Sequence, residues 1–163
     1  MDKKDLNFEQ SLQDKIEILE TATEAVLSSC SDKRVTSRVV DIACCGKEIY
    51  FLTWNHHTKC IQIRENPNVA ICYKNLQVEG LAEIKGSPLS EKNKIHSDKF
   101  RAKQPLTYDQ FAKLEGMVIV KVDMTSIHSW EGWDKESKGF FIDIIDISKK
   151  VAFRINAGDQ KRY

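Results

Sequence analysis

No run of apolar residues in this 163-residue chain approaches the length of a membrane-spanning helix, so a membrane role is not expected. Charge of one sign is also missing. Lys+Arg 25 against Asp+Glu 24 leaves a formal net charge of +1, and no global field draws the chain to a polyanion. A nucleic-acid partner is therefore not expected either. The richest basic stretch, Lys92 to Lys103, has Glu91 beside it and Asp98 within it, and reads as the solvated face of a helix. Seven glycines and three prolines are too few for a collagen-like or disordered chain. Paired Cys-x-x-Cys spacing is absent: Cys30, Cys44, Cys45, Cys60 and Cys72 match no zinc pattern, and no metal is expected. An odd cysteine count without a signal peptide points to reduced thiols and a cytoplasmic protein. Cys44-Cys45 invite a redox role, against which stands the poor disulfide geometry of adjacent cysteines.

What is present is the composition of a soluble globular protein, 41% hydrophobic and 30% charged. The length suits a single domain over 1–163, burying roughly 70% of its unfolded surface around one core. Asn7 and Gln10 resemble a capping box ahead of the stripe Phe8, Leu12, Ile16, Leu19, Thr23 and Val26. This predicts an amphipathic helix over about 8–29, followed by a polar loop at Ser28 to Asp32.

The rest of the chain is organised around Thr36 to Gly80. A strand over Val35 to Ala43 places Thr36, Arg38, Val40 and Ile42 on one face, and Val35, Ser37, Val39 and Asp41 on the other. Arg38 either escapes to solvent along its stem or faces a bound planar or anionic group. Cys45-Gly46-Lys47 turns into a second strand, Glu48 to Thr53. A short helix over Thr58 to Glu65 follows, with Cys60, Ile61 and Ile63 for burial and Asn66-Pro67 to end it. First-turn amides have no partner within a helix, so with the Thr58 hydroxyl and the Lys59 ammonium they make a phosphate-holding device. His56 and His57 lack a third ligand at metal spacing, and one of them donating to an anion is the better account.

Val69 to Tyr73 and Gln77 to Ile84 read as further strands, the second with one side toward water or a partner. Gly86-Ser87-Pro88 breaks the sheet. Ser90 and Thr107 are expected to start two helical segments, the second with a Thr107-x-x-Gln110 capping box, in an insert over about 88–115 outside the barrel. Met117 to Val122 is a strong strand, and Trp130 and Trp133 are placed on a rim after it. Phe140 to Ile145 and Val151 to Ile155 read as last strands, and Asn156 to Tyr163 as a frayed end.

In order, Arg38-Val39-Val40, Tyr50-Phe51-Leu52-Thr53, Thr58-Lys59, Glu65-Asn66-Pro67 with Val69-Ala70-Ile71, and Val78-Glu79-Gly80 resemble the signature of the pyridoxamine 5'-phosphate oxidase-related, FMN-binding split β-barrel family. The general stress protein 26-like branch is the nearest in length and layout. The resemblance implies a mainly β fold with helices, a six-stranded Greek-key split β-barrel over about 35–155. It also implies a homodimer with FMN in each of two clefts between protomers. Carried over, Arg38, Val39 and Val40 edge the isoalloxazine ring, Thr53 lies by the ribityl chain or ring, and His57, Thr58 and Lys59 hold the phosphate. Asn75 and Gln77 flank the place of a flavin-contacting glutamine, with Asn75 favoured, and Trp130 neighbours the ring. Two departures count against pyridoxamine phosphate oxidation: Ala43 stands where the oxidases carry a substrate-binding lysine, and their C-terminal Arg-x-His motif is missing, Phe153-Arg154-Ile155 matching only its surroundings.

The functional expectation is an FMN-dependent oxidoreductase of unknown substrate, with a nicotinamide reductant as a candidate partner; the flavin carries the electron chemistry while the polypeptide positions it. The alternative is a non-catalytic module that stores or senses flavin. Haem or deazaflavin binding ranks below both, with His56, His57, His96 and His128 as available ligands.

Overall fold

The structure, a computed structural model, describes residues 3–134 and 139–157. Among the described residues, ten antiparallel strands form one sheet system: β1 (Lys4–Leu6), β2 (Glu24–Ser31), β3 (Arg34–Asp41), β4 (Ala43–Cys45), β5 (Glu48–Trp54), β6 (Asn68–Tyr73), β7 (Leu76–Gly86), β8 (Met117–Asp134), β9 (Gly139–Asp146) and β10 (Val151–Asn156). The described residues also form four α-helices: α1 (Phe8–Glu20), α2 (Thr58–Glu65), α3 (Lys94–Lys103) and α4 (Pro105–Phe111). The mainly β, partly helical class is as expected.

The ladders run β3–β2–β6–β7–β8–β5–β4, and Ile42 alone separates the end of β3 from the start of β4. The order of pairing therefore returns to the stretch of chain it left. Beyond this ring, β8 also pairs with β9, which carries β10 and then β1. Inside lie Leu27, Ile49, Phe51, Ile71, Val78, Val120, Val122 and Ile127, and α1 covers them with Leu12, Ile16 and Leu19. At Gly80 the β7 strand bulges against β8; a Cβ there would sit 2.6 Å from Val122 Cγ1 and 2.7 Å from the Asp123 carbonyl oxygen. Only glycine fits so close an approach.

Several expectations change. The first helix ends at Glu20 rather than near Ser29. Asn7 caps it as predicted, its Oδ1 accepting from the Gln10 amide at 2.9 Å. After the Thr21 cap, the alternation of Ala25, Leu27 and Ser29 buries one face of a strand, and Val26 points out. Periods of 2 and 3.6 share several positions over so short a run, and pairing with β3 and β6 decides between them. The supposed polar loop is the end of β2 and the turn into β3, with Asp32 and Lys33 at φ 43° and 61°. Both central residues of such a two-residue hairpin turn need positive φ, which matches the strand twist.

In the insert, Thr107 does not open a helix. Pro105 holds the first position and Thr107 lies inside α4. Ser90 precedes a single 3₁₀ turn, Glu91–Asn93. Phe100 of α3 packs with Ala43, Tyr50 and Ile119 in a second core outside the ring, while Ile95 is exposed. The two tryptophans lie within β8 rather than after a strand, because β8 continues past a bulge at Gly132 to pair with β9. Ile61 is exposed, and Cys60, Gln62 and Ile63 fill the buried side of α2 instead. Most of the end expected to fray, residues 158–163, lies outside the described residues.

Candidate functional site

The loop ahead of α2 is pinned from both sides. The Asn55 amide donates to the Gly116 carbonyl at 2.8 Å, the His57 amide to the Trp54 carbonyl at 3.1 Å, and Arg64 reaches back to the Asn55 carbonyl. His57 is the N-cap of α2 and makes no side-chain capping bond, so the first-turn amides have no side-chain partner at the helix start.

Around this start a polar cavity of about 400 Å³ is lined by Arg34, Thr36, Arg38, His56, His57, Thr58 and Lys59. Lys59 Nζ donates to Thr53 Oγ1 at 2.8 Å and lies 3.3 Å from His57 Nδ1. Among the described residues, no carboxylate lies within ion-pair distance of Arg34, Arg38 or Lys59. Burial lowers the Lys59 pKa, and Arg38 pushes it the same way. Burial lowers that of His57, with Lys59 and His56 adding to it. An anion would relieve this concentration of unneutralised positive charge.

A second cavity of about 240 Å³ shares His57 and Lys59 with the first. Its other walls are largely apolar: Val39, Val40, Leu52, Trp54, Phe111 and Met117, with Thr53, Asp41 and Thr107. The two cavities therefore make one groove, cationic at one end and apolar at the other. Trp54 meets Phe111 edge-on, with ring centroids 6.2 Å apart, and His57 with centroids 5.3 Å apart.

Gln62 organises the cationic end, and sequence reasoning missed it. Its Oε1 accepts from Ser29 Oγ and from Thr36 Oγ1, each at 2.6 Å, and its Nε2 donates to the Arg34 carbonyl at 2.9 Å. Arg38 Nη1 donates to Ser29 Oγ at 2.8 Å, and Nη2 to Thr36 Oγ1. Helix α2 and the β2–β3 hairpin are thus held together through a buried amide, which orients Arg38. A polar residue on the inward side of a short helix was the available signal, readable only once the hairpin was known.

Seven predicted residues, Arg38, Val39, Val40, Thr53, His57, Thr58 and Lys59, line this groove, with Arg38 in the cationic cavity rather than beside Val39 and Val40 in the apolar one, where it was expected. Asn75, Gln77 and Trp130 do not; they line a separate cavity of about 430 Å³ with Cys72, Lys74 and His128. Asn75 is engaged within the fold, its Nδ2 donating to the Trp130 carbonyl at 2.8 Å and its own carbonyl accepting from the Trp130 amide at 3.0 Å. Gln77 Nε2 donates to Glu79 at 3.2 Å. Ala43 is fully buried against Tyr50, Phe100 and Ile119, so the oxidases' lysine has no counterpart on the groove. Arg154 is paired with Asp143 through two bonds of 2.6 and 2.8 Å. All five cysteines are free, and burial pushes the Cys44 thiol up to about 12 and that of Cys45 in the same direction, so neither favours the reactive thiolate. No helix among the described residues is long and apolar enough to cross a membrane.

No protein-family model and no curated protein sequence matches this chain. Solved structures do. A Listeria innocua protein provisionally named a pyridoxamine 5'-phosphate oxidase is 21% identical over 72% of this chain and 95% of its own, with a TM-score of 0.56. General stress protein 26 from Bacillus anthracis is 19% identical over 71% and 91%, at 0.56. An FAD-binding protein from Mesorhizobium loti is 15% identical over 78% and 96%, at 0.59. A haem-binding protein from Mycobacterium smegmatis is 8% identical over 83% and 57%, at 0.66. The chain has the fold of the pyridoxamine 5'-phosphate oxidase-like proteins, among which both flavin and haem binders occur.

Proposed function

We propose that the chain binds FMN in the groove and serves as a flavin-dependent oxidoreductase, reduced by a nicotinamide nucleotide. The observation that carries this reading is the union of a carboxylate-free cationic cavity with an apolar one at His57 and Lys59. A phosphate on a polar tether to a flat aromatic ring matches both ends. Lys59, Thr58, His57 and the α2 amides would hold the phosphate, with Arg38 and Arg34 beside them. Val39, Val40, Leu52 and Trp54 would flank the ring. When bound, the flavin supplies hydride and electron transfer. The chain's own part is to neutralise the phosphate, keep water from the ring's faces and fix its orientation through the Gln62 network.

The same reading places the groove at the interface of a homodimer. Val26, Val35 and Val39 are exposed together on the outer face of β2 and β3, where Val26 and Val39 are register partners, and Val39 also lines the groove. Asn75, Gln77 and Trp130, remote from this protomer's groove, would then serve the partner's. The likeness to the general stress protein and the FAD-binding protein supports a flavin; the likeness to the haem-binding protein favours a second reading, with the cations facing haem carboxylates and His57 near the iron.

The visible spectrum of the purified protein, with its mass in solution, tests these together. Flavin bands and a dimer mass are expected; a haem Soret band, or no spectral change on adding FMN, would overturn the flavin reading. Anaerobic mixing with NADH or NADPH then separates catalyst from store. Bleaching of the flavin is expected, and its persistence would make the protein a storage or sensing module.

A further inference from the structure

Most of the groove-lining residues lie on β3, β5 and α2, all of which bury side chains in the core. The helix α4 is different: no residue from Pro105 to Phe111 is buried, and Leu106 is 84% exposed. It nevertheless contributes Thr107 and Phe111 to the apolar end of the groove. Its two ends are fixed. Before it, Gln104 Nε2 donates to the carbonyls of Thr23 and Ile42 at 2.6 and 2.8 Å. After it, Ala112 is buried and the Gly116 carbonyl accepts from the Asn55 amide.

Between these ends α4 buries no residue; away from the groove Tyr108 packs, partly exposed, against the Ala43, Tyr50, Phe100 and Ile119 core, and the contacts on the groove side are few. Thr107 Oγ1 donates to Asp41 Oδ2 at 3.1 Å across the mouth of the groove. Phe111 rests edge-on against Trp54. Away from the groove, Asp109 pairs with Arg101 at 2.9 Å on the surface, and Tyr108 Oη donates to the Pro88 carbonyl at 3.4 Å. Exposed ion pairs and long hydrogen bonds of this kind add little.

We propose that α4 is a lid over the apolar end of the groove, latched by Thr107 on Asp41, and that it opens as a unit between Gln104 and Ala112 to pass a planar aromatic ligand. The ligand identity rests on the flavin reading above, but the lid does not. A segment with no buried side chain opens at low free energy, whereas α3 beside it is anchored by Phe100 and Ser97. The open state uncovers Val39 and Trp54 to receive a flat group; the closed state, with Phe111 back on Trp54, shields its edge from water.

Amide hydrogen exchange on the ligand-free protein tests the lid directly. Residues 106–111 are expected to exchange much faster than 96–103, and Thr107→Val to speed the former roughly three- to tenfold while leaving the latter unchanged. Asp41→Asn keeps an acceptor for Thr107 and is expected to stay near wild type. Equal protection of the two helices, or no response to Thr107→Val, overturns the lid. In stopped flow with FMN, Thr107→Val is expected to raise association and dissociation rates together, roughly threefold, with little change in Kd, as a gate requires. A change in dissociation alone would make α4 a fixed wall and overturn the gate. Failure of FMN to bind either form overturns the flavin reading alone, with exchange still deciding the lid.

Discussion

Two short helices border the groove, α2 with eight residues at its cationic end and α4 with seven at its apolar end. They are held in opposite ways. Cys60, Gln62 and Ile63 sink α2 into the fold, and Gln62 adds bonds to β2 and β3. Nothing in α4 is buried, and its hold on the groove is one hydroxyl–carboxylate bond and one aromatic edge. The difference follows from what each end must hold. A phosphate needs donors kept in place while its charge is desolvated, because moving them costs the charge-assisted bonds that bind it. A flat apolar group needs only shape and exclusion of water, which a surface helix supplies and can withdraw.

The contrast breaks most sharply at Gln62. Gln62→Leu removes the acceptor of the Ser29 and Thr36 hydroxyls and the donor to the Arg34 carbonyl, an expected loss of about 2–4 kcal/mol by urea denaturation. A loss below about 1 kcal/mol would mean that α2 is held no better than α4. Next is Lys59→Ala, expected to weaken FMN by roughly 1.5–3 kcal/mol, about one to two decades, while riboflavin is little affected. Equal losses for the two ligands in fluorescence titration would move the phosphate away from α2.

The His57 pKa stands below the ordinary value of 6.5, chiefly through burial, with Lys59 and His56 adding. With the folded pKa depressed, the unfolded chain binds more protons near pH 6.5, so His57 lowers stability as pH falls through that value and leaves it unchanged above. A phosphate between His57 and Lys59 raises the pKa again. FMN binding near pH 6.5 is therefore expected to take up protons, measured as a dependence of the calorimetric enthalpy on buffer, and His57→Asn to abolish the uptake. Riboflavin, lacking the phosphate, should take up none. The smallest effect belongs to α4: Leu106→Asp is expected to change stability by less than about 0.5 kcal/mol in the same denaturation experiment, since Leu106 touches little.

The parts of the fold legible from sequence were those set by local chemistry. The Asn7 cap, the strands at Arg34–Asp41 and Glu48–Trp54, the start of α2 after His57 and its end at Asn66-Pro67 all follow from capping, alternation and proline geometry. The hairpin at Asp32-Lys33 escaped because neither residue is glycine or asparagine, the usual occupants of positive φ. Thr107 misled because a capping box has the same spacing inside a helix as at its start, and Pro105 had the stronger claim. Of the predicted site, the residues close in sequence to the α2 start or on the strand facing it came together. Asn75 in the β6–β7 turn, Gln77 on β7 and Trp130 on β8 lie apart from the groove, where strand register places them.

By itself, then, the sequence determined that a cationic helix start follows a buried strand, because caps, prolines and donor-rich first turns act within a few residues. Only the tertiary structure decided what faces it. Strand pairing set Arg34 and Arg38 across from Lys59, burial gave Gln62 its three partners, and the return of the chain at Thr107 and Phe111 roofed the apolar end. Each of these joins residues 20 to 70 positions apart, where no local periodicity reaches and only packing around one core chooses the partner.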